Sequence, residues 1–232
     1  MKLTFFGHSA FQIETGGSLI LIDPFITGNP LAESVVAVDT LIPDAILVTH
    51  AHGDHWGDTA ALAKRTGALV VANFEITQYL VREVGHQNVM AVNTGGGVEL
   101  GWGKVTCTWA RHSSSFPDGT YGGNPGGFMI ETKAGCLYMA GDTSPFPDMA
   151  WLGEDHDIDV AVLPIGDCFT MGHEGSVRAA HMLNARRVVP CHYDTFPPIE
   201  TDTDAWSKRM REAGQSPHVM RPGDTLEVAP TR

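Results

Sequence analysis

Residues Thr49 to Asp58 read Thr-His-Ala-His-Gly-Asp-His-Trp-Gly-Asp, and no other segment restricts the fold of this chain as strongly. His50, His52, Asp54 and His55 place three imidazoles and a carboxylate within six positions. Neutral imidazole nitrogen and carboxylate oxygen are the donors that borderline divalent ions such as zinc accept. The segment directly follows Ala45-Ile46-Leu47-Val48, an apolar run of strand length. A buried strand that stops in a tight, Gly-containing turn can aim several side chains at one point. The spacing divides the donors: His50 and His52, two apart, can share one ion, while the adjacent Asp54 and His55 can turn toward a second. The plain alternative is a surface loop rich in histidine, and four donors packed this closely argue against it.

The same arrangement recurs. Val105–Ala110 leads to His112, Cys136–Ala140 to Asp142, and Val188–Cys191 to His192, so each apolar strand candidate ends in a metal-capable side chain. Open α/β sheets build sites there, because loops converge past the carboxyl ends while the strands supply rigidity. Singly, each has an ordinary explanation: a surface histidine, a turn or cap carboxylate after Gly141, a satisfied histidine beside the core. Four repeats of one arrangement favour a shared site.

Other candidate strands are Leu3–Phe6, Ala10–Glu14 and Leu19–Asp23, set apart by Gly-rich turns as in a meander, then Leu69–Ala72, Phe128–Glu131 and Asp159–Leu163. Helices are expected over 58–66, 74–84, 173–185 and 203–213. No Gly/Ser or Pro linker and no short repeat divides the 232 residues, so one domain of mixed α and β layers, 1–232, is expected. The loop 111–127, rich in Ser, Gly and Pro, has a composition that suits either a mobile lid or an ordered surface loop.

Charge narrows the function. Fifteen Lys and Arg stand against 27 acids, a net charge of −12, with no basic stripe to neutralise nucleic-acid phosphates or an anionic membrane. No apolar run approaches the ~18 residues that span a bilayer. The start, Met1 to Phe6, carries no signal-peptide pattern, and the four scattered cysteines form no Cys-x-x-Cys pair. A reduced, cytoplasmic protein acting on a small molecule is the expectation, with a homo-oligomer left open.

These residues resemble the metallo-β-lactamase superfamily of metal-dependent hydrolases. The match runs through His50-x-His52-x-Asp54-His55, His112, Asp142 and His192 in order. Within that superfamily the chain resembles a small bacterial group of metal-dependent hydrolases related to ascorbate-6-phosphate lactonase. Gly7-His8-Ser9-Ala10-Phe11, Ile22-Asp23-Pro24-Phe25, Gly141-Asp142-Thr143, Leu163-Pro164-Ile165-Gly166-Asp167 and His192-Tyr193-Asp194-Thr195 are among the segments that carry this likeness. The resemblance implies an α+β fold, an αββα four-layer sandwich of two facing mixed β-sheets with helices outside. It implies that His50, His52 and His112 hold one ion and that Asp54, His55 and His192 hold a second, with Asp142 bridging. It implies one or two divalent ions: zinc first, with manganese, nickel or iron as alternatives.

Such ions lower the pKa of a bound water and polarise an oxygen under attack, so hydrolysis of an ester, lactone or phosphoester-type bond is expected. In that chemistry Asp54 and Asp142 provide charge and orientation, and Asp54 can also move a proton. His50, His52, His112 and His192 complete the catalytic set. A Cys191–His192 nucleophile pair is disfavoured, since neighbouring strand residues point to opposite faces. His8 and Asp23 either line the site and orient a ligand or serve as turn residues, and Asp167 and His173 flank a loop that could wall it. Lys104, Arg111 and Arg178 are the candidate cations near the predicted loops. The rivals are a phosphodiesterase or nuclease of the same superfamily, an iron-binding redox protein, and a non-catalytic metal-binding module. Imidazole at His52, where di-iron oxidoreductases of the fold carry an acid, favours hydrolysis.

Overall fold

The computed structural model describes residues 1–229. The chain opens with a meander, β1 (Lys2–Gly7), β2 (Ala10–Thr15) and β3 (Ser18–Ile22), because short turns at Gly7–Ser9 and Gly16–Gly17 allow only antiparallel return. Asn29 caps a short turn of helix, α1 (Pro30–Glu33). After it come β4 (Ala45–Leu47), α2 (Gly53–Trp56), α3 (Thr59–Thr66), β5 (Leu69–Ala72), α4 (Phe74–Tyr79) and β6 (Val89–Ala91). The expected helix over 74–84 is α-helical only to Tyr79 and continues as a π-helical turn, Leu80–Val84, that ends at Gly85 with φ 79°.

The second half repeats the scheme. An antiparallel run, β7 (Gly97–Leu100), β8 (Gly103–Trp109), β9 (Gly126–Thr132) and β10 (Gly135–Met139), precedes α5 (Met149–Asp155) and β11 (Val160–Pro164). Then follow α6 (His173–Leu183), β12 (Arg187–Cys191), α7 (Thr203–Glu212) and β13 (Thr225–Glu227).

The first sheet has seven strands in the order β13-β1-β2-β3-β4-β5-β6 and the second has six, β12-β11-β10-β9-β8-β7. Each is antiparallel at one side and becomes parallel where helices carry the crossover: β3 to β6 in the first, β10 to β12 in the second. Both are mixed sheets, as expected.

Three buried clusters define the layers. Between the sheets, Leu3, Phe11, Ile13 and Ile22 of the first meet Val105, Phe128, Ile130 and Val162 of the second. Outside the first sheet, Leu62 of α3 and Ile76 of α4 pack on Leu21, Ile46 and Val70. Outside the second, Ala179 and Leu183 of α6 and Trp206 and Met210 of α7 cover Tyr138, Ala161 and Leu163. Trp206, fully buried, keeps its indole N–H satisfied on Ser176 Oγ at 2.9 Å. Alternating residues of each strand thus feed an inner and an outer cluster, which makes the αββα sandwich.

Candidate metal centre

Six strands deliver polar side chains from their carboxyl ends to one place. β1 leads to His8, β3 to Asp23, β4 to the turn holding His50, His52, Asp54 and His55, β8 to His112, β10 to Asp142, and β12 to His192. All seven residues expected as ligands meet there, although up to 142 positions separate His50 from His192.

The donors form two neighbouring nests. In the first, His50, His52 and His112 offer ring nitrogens that all lie within 4.8 Å of one another. His50 Nε2 stands 3.0 Å from His52 Nδ1, while His52 Nε2 looks outward toward Ser113 Oγ at 3.4 Å. In the second, Asp54, His55 and His192 converge within the same limit and are joined by His8. Asp142 lies between them: Oδ2 is 3.0 Å from His192 Nε2, 3.5 Å from His112 Nε2 and 3.9 Å from His50 Nε2, and Oδ1 is 3.2 Å from His55 Nε2. Tetrahedral donors around an ion at 2.0–2.2 Å sit about 3.3–3.6 Å apart, which is the scale of these separations.

The polar bookkeeping also fits ions. His55 Nε2 and Asp142 Oδ1 are buried and face each other, yet neither has a hydrogen-bond partner. Orphaned buried groups of this kind are rare in native proteins and call for an explanation. A cation between them satisfies both.

Asp23 explains why the rings present the nitrogens they do. Its Oδ1 accepts from Thr49 N at 2.8 Å, and its Oδ2 accepts from Thr49 Oγ1 at 2.6 Å and from His55 Nδ1 at 2.8 Å. A buried carboxylate can only accept, so His55 carries its proton on Nδ1 and leaves Nε2 bare. Thr49 gives its hydroxyl proton to Asp23, so its oxygen accepts from His50 Nδ1 at 3.0 Å. His50 Nε2 is then bare as well. One carboxylate sets the tautomer of a ring in each nest.

Electrostatics divides the histidines. Burial holds the His50 ring well below its ordinary pKa, helped by the neighbouring His55, and burial lowers His52 and His112 too. These rings are neutral, the form that ligates. Burial pulls His192 the other way from its carboxylates, and Asp142 wins, leaving it at about 9. His55 is likewise raised, against burial, by Asp142 and Asp23. Burial opposes ionisation of Asp54 and Asp142, but their histidine partners hold both well below the usual carboxylate range.

Backbone geometry marks the same residues. His8, Asp23 and His192 all sit in the left-handed region, with φ of 57°, 44° and 54°. Non-glycine residues there are strained, and such strain gathers at functional sites. Gly57 (φ 40°, ψ −125°) turns the chain at the end of α2, and a Cβ there would lie 2.5 Å from Pro24 O. The next residue, Asp58, accepts from the backbone of Ile26 and Thr27, tying the ligand turn to the loop after Asp23.

The loop 111–127 is anchored rather than free-standing. Ser114 Oγ accepts from Ala51 N and donates to Gly122 O, Asn73 Nδ2 donates to Gly122 O and Asn124 O, and Phe116 stacks on Tyr79 at 3.8 Å. Gly122 packs so closely on the Ala51 side chain that a Cβ would overlap it. Asp167 and His173 are not among the converging donors. Asp167 begins a tight turn with φ 58°, and His173, the first residue of α6, bonds Thr201 Oγ1 at 2.8 Å while Gly172 takes the cap position. Arg111 is exposed beside His112, whereas Lys104 sits at the far end of β8. Thr49 and Thr195, the hydroxyl partners of the site, stand in segments that the sequence singles out, but nothing local gives them a role, since a threonine beside a strand is ordinary.

Comparison with known proteins identifies the family. Residues 19–193 match the family model described as the beta-lactamase superfamily domain. A metal-dependent hydrolase from Salinibacter ruber is 49% identical over 228 residues, covering 98% of this chain and 100% of the relative. One from Thermus thermophilus is 47% identical over 230 residues, covering 98% of this chain and 99% of the relative. Among solved structures, a metallo hydrolase from the hyperthermophilic archaeon Ignicoccus hospitalis superposes with a TM-score of 0.88 at 38% identity, covering 97% of each chain. With its two facing sheets, its ligand turn after β4 and relatives matched along nearly their full length, this chain belongs to the metallo-β-lactamase superfamily, in its group of metal-dependent hydrolases.

Proposed function

We propose that the protein hydrolyses an ester, lactone or phosphoester-type bond of a small molecule, with one or two divalent ions held by His50, His52 and His112 and by Asp54, His55 and His192, and with Asp142 between them. The observation that carries this reading is the pair of adjoining donor nests sharing Asp142, with bare nitrogens fixed by Asp23. When bound, the ions supply a hydroxide nucleophile near neutral pH and an electrophile for the oxygen under attack. The side chains do the rest. Asp54 is the one carboxylate of the set with a quarter of its side chain exposed, at 26%, so it can exchange a proton with substrate as a leaving group departs. Asp142, 3% exposed, has no such access and serves charge balance and geometry.

Zinc is the ion that three imidazoles with an open position suit best. The acidic surface disfavours a polyanionic substrate, which leaves an uncharged or singly charged small molecule as the fitting class. No described helix is long and apolar enough to cross a membrane.

The test is elemental analysis of protein purified without chelators, followed by a panel of esters, lactones and phosphodiesters with zinc, manganese or nickel restored. His52→Ala and Asp142→Ala should each lose metal and turnover together. Turnover retained in both variants would refute the assignment.

A further inference from the structure

His8 is fully buried, in the left-handed region, at the point where β1 enters the site. Its Nε2 lies 3.0 Å from Asp54 Oδ2 and its Nδ1 lies 2.9 Å from Thr195 Oγ1. Its carbonyl accepts from His192 N at 2.8 Å, and its ring centroid is 4.1 Å from that of His192. An ionised carboxylate only accepts, so Nε2 must carry the proton shared with Asp54. The neutral ring then accepts at Nδ1, where the Thr195 hydroxyl, 2.9 Å away, can donate in place of its longer 3.2 Å bond to the Tyr193 carbonyl. Both ring nitrogens are spoken for, which leaves none free to ligate.

We infer that His8 is a positioning residue: locked in one tautomer by Thr195, it fixes the Asp54 carboxylate and so gives the Asp54–His55–His192 nest its affinity for an ion. The inference rests on the metal-centre reading above. Asp54 needs such a partner. It sits on a helical turn of four residues, its side chain is 26% exposed, and a different rotamer would turn it to water. The oxygen that His8 holds is the one facing His192 Nε2 at 3.6 Å and His55 Nε2 at 4.0 Å. His8 and Thr195 come from opposite ends of the chain, 187 positions apart, so their pairing belongs to the assembled site and not to a local turn. The rival is direct ligation by His8, whose nitrogen lies within 4.8 Å of the other three donors.

Zinc titration against a chromophoric chelator, with stoichiometry from elemental analysis, separates these cases. The wild type should take up two equivalents. His8→Ala should keep one at wild-type affinity and weaken the other by roughly 10–100-fold, the usual effect of removing an outer partner of a metal ligand. His8→Gln, whose amide nitrogen can reach the Nε2 position and donate to Asp54, should recover the affinity to within a few-fold. Thr195→Val, a milder change should His8→Ala fold poorly, should weaken the same equivalent. Two tight equivalents in both His8→Ala and Thr195→Val overturn the inference. So does His8→Gln binding as weakly as His8→Ala, which would make the ring itself a ligand. Wild-type protein that takes up no zinc, manganese or nickel would instead sink the metal-centre reading, and this inference with it.

Discussion

Asp23→Asn is nearly isosteric, yet it should disable both nests at once. Asparagine tolerates the left-handed backbone at this position, where φ is 44°, so the fold should survive. Its amide oxygen can replace Oδ1 opposite the Thr49 backbone N–H, which places the NH₂ where Oδ2 stood. That nitrogen donates where the carboxylate accepted. It faces His55 Nδ1 and Thr49 Oγ1, and each must now accept. His55 then moves its proton to Nε2, the atom aimed at Asp142. Thr49, having accepted, turns its hydroxyl proton to His50 Nδ1, and His50 also becomes protonated on Nε2. One ring in each nest thus presents N–H where a lone pair is required.

Each disturbed outer-partner bond costs about 10–100-fold in metal affinity. Two rings give roughly 10²–10⁴-fold in combined zinc affinity, or about 2.7–5.5 kcal/mol. Chelator competition measures the loss, and a melt of the metal-free variant checks that it is folded. Folded Asp23→Asn binding zinc as tightly as the wild type would refute the tautomer argument.

Metal uptake should release protons. His192, at about 9 in the metal-free protein, is charged at pH 7, so calorimetric zinc binding there should expel about one proton per chain from this ring, read from the dependence on buffer ionisation enthalpy. The sign for stability follows: a raised histidine pKa stabilises the metal-free fold fully below about 6.5 and loses that contribution as pH rises through about 9. The melting temperature of chelated protein should therefore fall across that window, and a flat profile would contradict the His192–Asp142 pairing. Gly57→Ala should cost at least about 2 kcal/mol, from backbone strain and the overlap with Pro24 and Phe25, lowering Tm by about 4–8 °C in a chain of this size. An unchanged melt would show that the turn has another way to close.

The parts of this fold that show in the sequence are those whose physics is local or dense. Ala45–Leu47 and Val160–Pro164 are buried throughout, as is β12 after its half-buried Arg187, and they read as apolar runs. The strands β6, β7 and β13 escaped because they are short, largely exposed edge or near-edge pieces whose pairing depends on distant partners. The helix α5 escaped as well, with Trp151 exposed on a segment that buries only Met149 fully. The seven ligand candidates were readable because each follows an apolar strand. His8 and Asp23 were readable only as possibilities, since a residue after a strand in a tight turn has the same local signature whether it supports a site or merely turns the chain. What distinguishes them is partners 46 and 26 positions away, and no window of sequence contains those.

The strand that flanks β1 is β13, with Lys2 opposite Glu227 and the Met1 amino group on Val228 O at 2.7 Å. One border of the first sheet therefore stays unzipped on the ribosome until residues 225–228 have emerged. Until then β1 is a bare template open to pairing with any passing extended segment. Residues 227 positions apart meet only once the strands between them have gathered, so this seam should close late in maturation, after the interior has collapsed.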